Sequence, residues 1–161
     1  MQSVVIVEAN LEDPQHQQAV IAMVNAYASD PMGSGSPLPE QVCNDLIPGL
    51  RGHPTSLVFL AFADEEPVGI AVCFLGFSTF AARPLLNVHD LAVIPEYRQQ
   101  GVGRQLLEAV EARSRALGCC KLTLEVREDN HPALRLYHHV GFGDVAFPEG
   151  ATRVWFLEKR L

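Results

Sequence analysis

The segment VHDLAVIPEYRQQGVGRQLL, residues 88–107, joins a strand to a helix through a turn that contains two glycines. Apolar and β-branched residues from Leu85 to Val93 are typical of a strand, and Pro95 ends it. Apolar residues then recur at helical spacing, and Gly118 is suited to cap the C-terminus of the helix. The recurring positions are Val102, Leu106, Ala109, Val110 and Leu117. The segment therefore predicts a strand, a glycine turn and an amphipathic helix.

The rest of the chain has a hairpin-rich first half and a β-α-β-α second half. Helices are predicted to start after Asp13, at Glu40, beyond Gly101 and after Asn130, and residues 29–39 have the composition of a loop. The predicted strands are Ser3–Glu8, Thr55–Asp64, Pro67–Ser78, Leu85–Val93, Cys120–Val126, Asp144–Phe147 and Thr152–Leu161. This order predicts one domain over residues 1–161 of mixed α/β (α+β) class, with a mixed sheet of about seven strands flanked by about four helices.

Composition and charge disfavour several classes of partner. The formal net charge is −7 over 161 residues, whereas nucleic acids and anionic membranes select a surplus of Lys and Arg. The sequence has neither an 18-residue apolar run nor the features of a signal peptide. Its four cysteines lack CxxC spacing, and its histidines lack a matching set of acidic residues. We expect a cytoplasmic protein with reduced thiols, no metal, no nucleic acid and no membrane.

The glycine turn is compatible with phosphate binding but not with two familiar nucleotide motifs. Arg104 follows Gly103 where a P-loop has lysine, and Leu106 stands where a dinucleotide fingerprint has its third glycine. The helix N-terminus, together with Arg98 and Arg104, favours a pyrophosphate. On spacing alone, an ordinary strand-to-helix turn explains Gly101 and Gly103 equally well.

A second segment, REDNHPALRLYHHVGF at residues 127–142, gives this turn a context. Together the two segments resemble the GNAT superfamily of acyl-CoA-dependent N-acetyltransferases. The first matches its motif A, with the R/Q-x-x-G-x-G/A loop. The second matches its motif B, an Asn followed by Ala, Leu-Tyr and then Gly-Phe. The order of elements from Val4 to about Lys159 also agrees with the family fold.

The resemblance implies an enzyme that takes acetyl-CoA as co-substrate. In such enzymes the strand ahead of the loop pairs with the pantetheine arm, and the loop amides hold the pyrophosphate. The matching positions are Leu91, Ala92 and Val93 for the arm, and Arg98, Gln99, Gln100, Gly101, Val102, Gly103 and Arg104 for the pyrophosphate. Asn130 matches an asparagine that reaches the cofactor arm, and Tyr137 matches a tyrosine beside the thioester sulfur.

Acetyl transfer to an amine requires a base and a proton donor. Alkylamines titrate near 10, so a base must deprotonate them, and the departing thiolate accepts a proton from a group such as Tyr137. His89 and Asp90 are the candidate bases, where many family members have a glutamate at or near the position of His89. Adjacent strand residues point to opposite faces, so we expect only one of the two to face the substrate. Which of the two residues is the base stays open.

The resemblance places the acceptor site between the first two helices, residues 30–39 and the hairpin turn at residues 77–84. Tyr27, Phe77 and Phe80 are candidates for its apolar wall. A small primary amine is the favoured acceptor. A protein N-terminus or lysine is the second candidate, and a non-catalytic acyl-CoA-binding module is the alternative of a different class. A homodimer formed through the C-terminal strands is a further hypothesis.

Overall fold

The computed structural model describes residues 3–143 and 157–160. Within them, five strands form one sheet in chain order: β1 (Val4–Glu8), β2 (Ser56–Ala63), β3 (Glu66–Ser78), β4 (Arg83–Val93) and β5 (Leu122–Leu124). Neighbouring strands are antiparallel except β4 and β5, which are parallel. The helices are α1 (Pro14–Ser29), α2 (Glu40–Arg51), α3 (Val102–Ala116) and α4 (His131–His139).

The predicted class, one mixed sheet with four helices, is confirmed, and the strand count differs from the expected seven. The predicted strands at residues 144–147 and 152–161 lie outside the described residues, apart from 157–160, which form no strand. The predicted strand Cys120–Val126 is reduced to three residues, because pairing with β4 ends at Leu124. The single domain over residues 1–161 and the homodimer through the C-terminal strands stay predictions.

Helices cover both faces of the sheet. Alternate residues of β2 and β3 divide between two apolar clusters, one packed against α1 and α2 and the other against α3 and α4. Residues 68 and 70–73 of β3 are buried on both faces, as expected for a continuous apolar run in the middle of a sheet. Among the described helices, none is long and apolar enough to cross a bilayer.

The predicted helix ends have the expected caps. The Asp13 carboxylate accepts a hydrogen bond from the Gln15 amide at 2.8 Å, and Pro14 occupies the first helical turn. Gly118 adopts φ +72° just past α3, a left-handed conformation that favours glycine. The Asn130 side chain accepts from the Ala133 amide at 3.3 Å and so starts α4.

The loop between α1 and α2 is fixed to the turn that precedes α3. The Asp30 carboxylate accepts hydrogen bonds from the Arg98 guanidinium at 2.6 Å and from the Met32 amide at 2.8 Å. Both hydrogen bonds lower the pKa of Asp30, and the bond from Arg98 has the larger effect. Arg98 also donates through Nε to the Val93 carbonyl at 2.8 Å. One arginine thus joins the end of β4, the turn before α3 and the loop after α1.

Gly69 in β3 is predicted to be intolerant of a methyl group, because α3 packs directly on it. A Cβ there lies 3.1 Å from Leu106 Cδ1, 3.2 Å from Val102 Cγ1 and 3.3 Å from Ala61 Cβ. We expect Gly69→Ala to lower the free energy of unfolding by about 1–3 kcal/mol through overpacking, measured by urea titration.

Gly49→Ala in α2 is the matched control, because a Cβ there has no other atom within 4 Å. A helical Gly→Ala change raises helix propensity, so we expect stability equal to native or higher by up to about 1 kcal/mol. Equal unfolding midpoints for native protein and Gly69→Ala would contradict the close packing of α3 on β3.

Candidate functional site

The turn between β4 and α3 has a backbone shaped for an anion. A short 3₁₀ turn at Pro95–Tyr97 is followed by left-handed residues at Gln99 (φ +60°) and Gly101 (φ +84°). Gly101 is the N-cap of α3, and the first intrahelical bond runs from the Gln105 amide to the Gly101 carbonyl at 3.0 Å. Amides in the first turn of a helix have no intrahelical acceptor and attract negative charge. A pyrophosphate fits this turn.

The two glycines of the turn have different roles. Gly101 is required for its left-handed backbone conformation. Crowding is not the reason, because a Cβ there has little around it. Gly103 is required for close packing, because a Cβ there lies 3.0 Å from Leu136 Cδ2 and 3.9 Å from Val93 Cγ2. Gly103 therefore brings α4 against the start of α3.

Both arginines of the turn have carboxylate partners in the structure. Arg98 pairs with Asp30, and the Arg104 Nε pairs with Glu108 Oε1 at 2.7 Å across one helical turn. Gln100 Nε2 donates to the Glu96 carbonyl at 2.6 Å. The backbone amides and the helix N-terminus are therefore the main attraction for a phosphate, and the arginines are partly neutralised.

The sheet opens between β4 and β5 along the last residues of β4, just before the glycine turn. β4 pairs with β5 from Leu86 to Val88, whereas its pairing with β3 continues to Val93. Leu91, Ala92 and Val93 therefore extend past the end of β5, and their edge on that side faces no described strand. An extended ligand can pair with such an edge as an added strand.

A β-bulge in β4 changes the predicted orientation of the two candidate bases. Val88 is opposite Cys73 and Asp90 is opposite Val72, so His89 is an extra residue between the two pairs. Val72 packs in the cluster under α1 and α2, which places Asp90 on that face. The His89 ring contacts Phe74 of the same cluster, with ring centroids 5.4 Å apart. The expectation that only one of His89 and Asp90 faces the α1 side is wrong, because the bulge interrupts the alternation.

Asp90 lies in a half-buried position next to Tyr27. Burial raises the pKa of the Asp90 carboxyl, and the charge of His89 partly opposes this shift. Burial also raises the pKa of the Tyr27 hydroxyl, with further contributions from Asp90 and Asp30 and an opposing one from Arg127. Tyr27, on α1, and Asp90, on β4, are therefore electrostatic neighbours.

Tyr137 lies on the opposite side of the sheet from Tyr27 and Asp90. It is buried in the cluster under α3, its ring lies edge-on to Phe142 at 5.8 Å, and burial raises the pKa of its hydroxyl to about 12. The charge of Tyr27 is a second cause of that shift. The two hydroxyls therefore influence each other electrostatically although α1 and α4 cover opposite faces of the sheet. Asn130 begins the same helix, with its side-chain oxygen used for capping.

The structure does not bring Phe77 and Phe80 to this group. Phe77 pairs with Pro84 near the tip of the β3–β4 hairpin and is 63% exposed, and Phe80 is fully exposed. Five residues separate Phe77 from Val72, the partner of Asp90, which is about 17 Å along a strand. Phe74 contacts His89 instead. Sequence reasoning missed Phe74 because its relation to His89 depends on the bulge.

Among the residues that the structure describes, no group of three or more His, Cys, Asp or Glu side chains is arranged to hold a metal ion. The cysteines at positions 43, 73, 119 and 120 are free thiols. Cys73 is buried under α3, and burial raises the pKa of its thiol to about 12, so it is inert.

Comparison with known proteins identifies the family. Residues 20–142 match the Acetyltransferase (GNAT) family. The chain is 26% identical over 149 residues to a thialysine N-epsilon-acetyltransferase of Caenorhabditis elegans, which covers 89% of this chain and 84% of that protein. It is 36% identical over 94 residues to an N-alpha-acetyltransferase of Sulfurisphaera tokodaii, covering 54% of this chain and 56% of that protein.

Solved structures share the fold. That of AAC(6')-Iy in complex with the bisubstrate analog CoA-S-monomethyl-acetylneamine superposes with a TM-score of 0.75 at 20% identity, covering 99% of each chain. The match of the family over most of the chain agrees with the glycine turn, the open edge of β4 and the position of Tyr137. The chain belongs to the GNAT family and is an acetyl-CoA-dependent N-acetyltransferase.

Proposed function

We propose that this enzyme transfers the acetyl group of acetyl-CoA to the primary amine of a small molecule. The observation that carries the proposal is the bulge in β4, which places His89 and Asp90 together on the α1 side, beside the open edge of the strand. The similarity to a thialysine acetyltransferase, and the fold shared with AAC(6')-Iy bound to CoA-S-monomethyl-acetylneamine, support an acceptor that is a small amine. The net charge of −7 favours the approach of a cationic substrate.

We assign the donor site to the open edge and the glycine turn. The pantetheine arm pairs with the backbone of Leu91, Ala92 and Val93, and the pyrophosphate lies against the amides from Gln99 to Arg104. Asn130, with its oxygen engaged in the cap, has its amide NH₂ available for the arm. Binding the arm as an added strand fixes the thioester near the bulge, which lowers the entropic cost of reaction.

Asp90 is the proposed base of the reaction. An ammonium group is attracted to its half-buried carboxylate, and the raised pKa makes that carboxylate more basic than an exposed one. The proton passes to Asp90 directly or through one water. The neutral nitrogen then attacks the thioester carbon, and β4 amides near the bulge stabilise the oxyanion. His89 orients the acceptor from the adjacent position against Phe74.

Tyr137 stabilises the departing sulfur. Its pKa of about 12 keeps the hydroxyl protonated at neutral pH, so it is a hydrogen-bond donor throughout the reaction. A thiol titrates near 8.5, so a free thiolate does not hold the tyrosine proton at equilibrium. The proposed role is therefore to donate a hydrogen bond to the sulfur while the carbon–sulfur bond breaks. The proton that the acetylated nitrogen then loses passes through solvent to the thiolate, so the products are the amide and the CoA thiol. A module that only binds acyl-CoA has no need of this hydroxyl.

Tyr137→Phe is expected to lower kcat by about 10²-fold, because one hydrogen bond to the leaving group is lost. The dissociation constant of CoA is expected to stay within about twofold of native, since the ring remains packed on Phe142. The measurement is thiol release from acetyl-CoA with a panel of amines, combined with calorimetric CoA titration. A native kcat in Tyr137→Phe would remove Tyr137 from the mechanism, and CoA binding without turnover of any acceptor would favour the binding module.

Asp90→Asn is expected to lower kcat/KM by about 10²-fold or more and to stabilise the fold at neutral pH. Because burial raises the pKa of Asp90 above its ordinary value of 3.8, the folded protein holds this proton more tightly than the unfolded chain. The contribution of the protonated carboxyl is present below 3.8 and is lost as pH rises through the raised value. The stability advantage of Asp90→Asn over native therefore grows as pH rises above about 4 through the raised pKa of Asp90, as measured by urea unfolding.

His89→Gln is the companion variant, because His89 adjoins Asp90 in the bulge. We expect a loss of kcat/KM of less than about tenfold, consistent with orientation of the acceptor. A larger loss in His89→Gln than in Asp90→Asn would transfer the role of base to His89.

A protein N-terminus is the second candidate acceptor. It is favoured by the 36% identity over 94 residues to the N-alpha-acetyltransferase of Sulfurisphaera tokodaii. Short peptides included in the amine panel distinguish the two acceptors, because the class with the higher kcat/KM is the preferred one. The cytoplasmic location stays a prediction.

A further inference from the structure

An open groove adjoins the proposed acceptor site and is not used by the mechanism above. It has a volume of about 490 Å³ and lies between one face of α2 and the end of β3. Its apolar lining consists of Val42, Leu46, Leu50 and Phe74. Small-molecule sites in proteins are concave and mostly apolar, with a few polar groups, and they have volumes in this range.

The groove exists because of a glycine on α2. Val42, Leu46 and Gly49 are spaced so that they share one helical face, and Gly49 contributes no side chain to the lining of the groove. A Cβ at Gly49 has nothing within 4 Å, so the space above it is open. Leu50 and Ile47, on the neighbouring face, are buried and hold the helix on the sheet.

Phe74 lies between the groove and the two candidate bases, His89 and Asp90. Its ring is edge-on to the His89 ring at 5.4 Å and edge-on to the His53 ring at 5.3 Å. His53 lines the groove, and His89 adjoins Asp90. A molecule whose amine is at Asp90 therefore reaches the groove by passing over a single aromatic ring.

The carboxylate of Asp45 favours a cation in the groove. Asp45 lines it, is exposed, and has the Gln41 side-chain amide as partner at 2.9 Å. This wall of the groove is the helix α2 rather than a strand, so it offers no strand edge for an extended peptide. A compact molecule with an apolar body and a second positive charge fits these features better than a peptide does.

We propose that the acceptor is an amine with an aromatic or branched alkyl body that lies on Phe74 in this groove, and that Asp45 favours acceptors with a second cationic group at the far end. This inference rests on the proposed function, because it takes the reacting nitrogen to be at Asp90. Gly49 then determines specificity by leaving room for the body of the acceptor.

The test is a comparison of kcat/KM for propylamine, 2-phenylethylamine and 4-(2-aminoethyl)benzylamine, measured by thiol release from acetyl-CoA. Native enzyme is expected to prefer 2-phenylethylamine over propylamine by about tenfold or more, since each buried methylene changes affinity several-fold. Gly49→Leu fills the groove and is expected to reduce that ratio by about tenfold, chiefly through KM. Gly49→Met is a second variant with a more flexible side chain.

Two further variants separate filling of the groove from changes elsewhere. Asn44→Leu adds the same side chain at an exposed position of α2 that does not line the groove, and it is expected to leave both rates unchanged. Asp45→Asn is expected to reduce the preference for the diamine over 2-phenylethylamine by about threefold to tenfold, and the effect is expected to weaken at high salt. The CoA dissociation constant and the helical circular dichroism of each variant verify an intact donor site and fold.

The outcomes distinguish this inference from the proposed function. If native enzyme acetylates none of the amines, the proposed function fails. If it acetylates propylamine and 2-phenylethylamine equally, or if Gly49→Leu leaves their ratio unchanged, the proposed function stands and the groove assignment is overturned. If a dipeptide such as Met-Leu is acetylated faster than every amine and Gly49→Leu slows it, the occupant is a peptide and the small-amine inference is overturned.

Discussion

The extra residue in β4 is the constraint from which the geometry of the site follows. A regular strand would place His89 and Asp90 on opposite faces, one toward α1 and the other toward α3. The bulge adds one residue between the pairs Val88–Cys73 and Asp90–Val72, so both side chains lie on the α1 side. Bulges also bend and twist a strand, and pairing of β4 with β5 ends at Val88, next to this bulge. One local irregularity thus accompanies both the grouping of the candidate bases and the open edge for the cofactor arm.

Two contacts then bring the remaining parts of the site into position. Gly103 allows α4 to approach the start of α3 closely, and Tyr137 of α4 is buried in the cluster under α3. Arg98 joins the end of β4 to Asp30 in the loop after α1, so this loop and the glycine turn share one ion pair. The energetic value of that pair is modest because Arg98 is half-exposed. Its effect is mainly on the position of the loop.

The fold class and the glycine turn were predictable from the sequence because they depend on local pattern. Apolar periodicity, Pro95 and the glycine pair indicate strand, turn and helix without knowledge of distant residues, and the structure has these elements in the predicted order. The orientation of His89 and the place of Phe77 were not predictable in this way. A bulge is set by strand pairing, which the sequence of one strand does not reveal, and it moves every later side chain relative to the partner strand. Phe74 and Gly49 were missed for the same reason, since their significance comes from the register and from packing of α2.

The account depends on acetyl-CoA occupying the gap between β4 and β5, with its thioester between Asp90 and Tyr137. A crystal structure of the acetyl-CoA complex measures this directly. We expect the pantetheine arm along Leu91–Val93, the pyrophosphate against the amides of residues 99–104, and the thioester sulfur within hydrogen-bond distance of the Tyr137 hydroxyl. A thioester bound away from β4, or a Tyr137 hydroxyl directed away from the sulfur, would contradict the account.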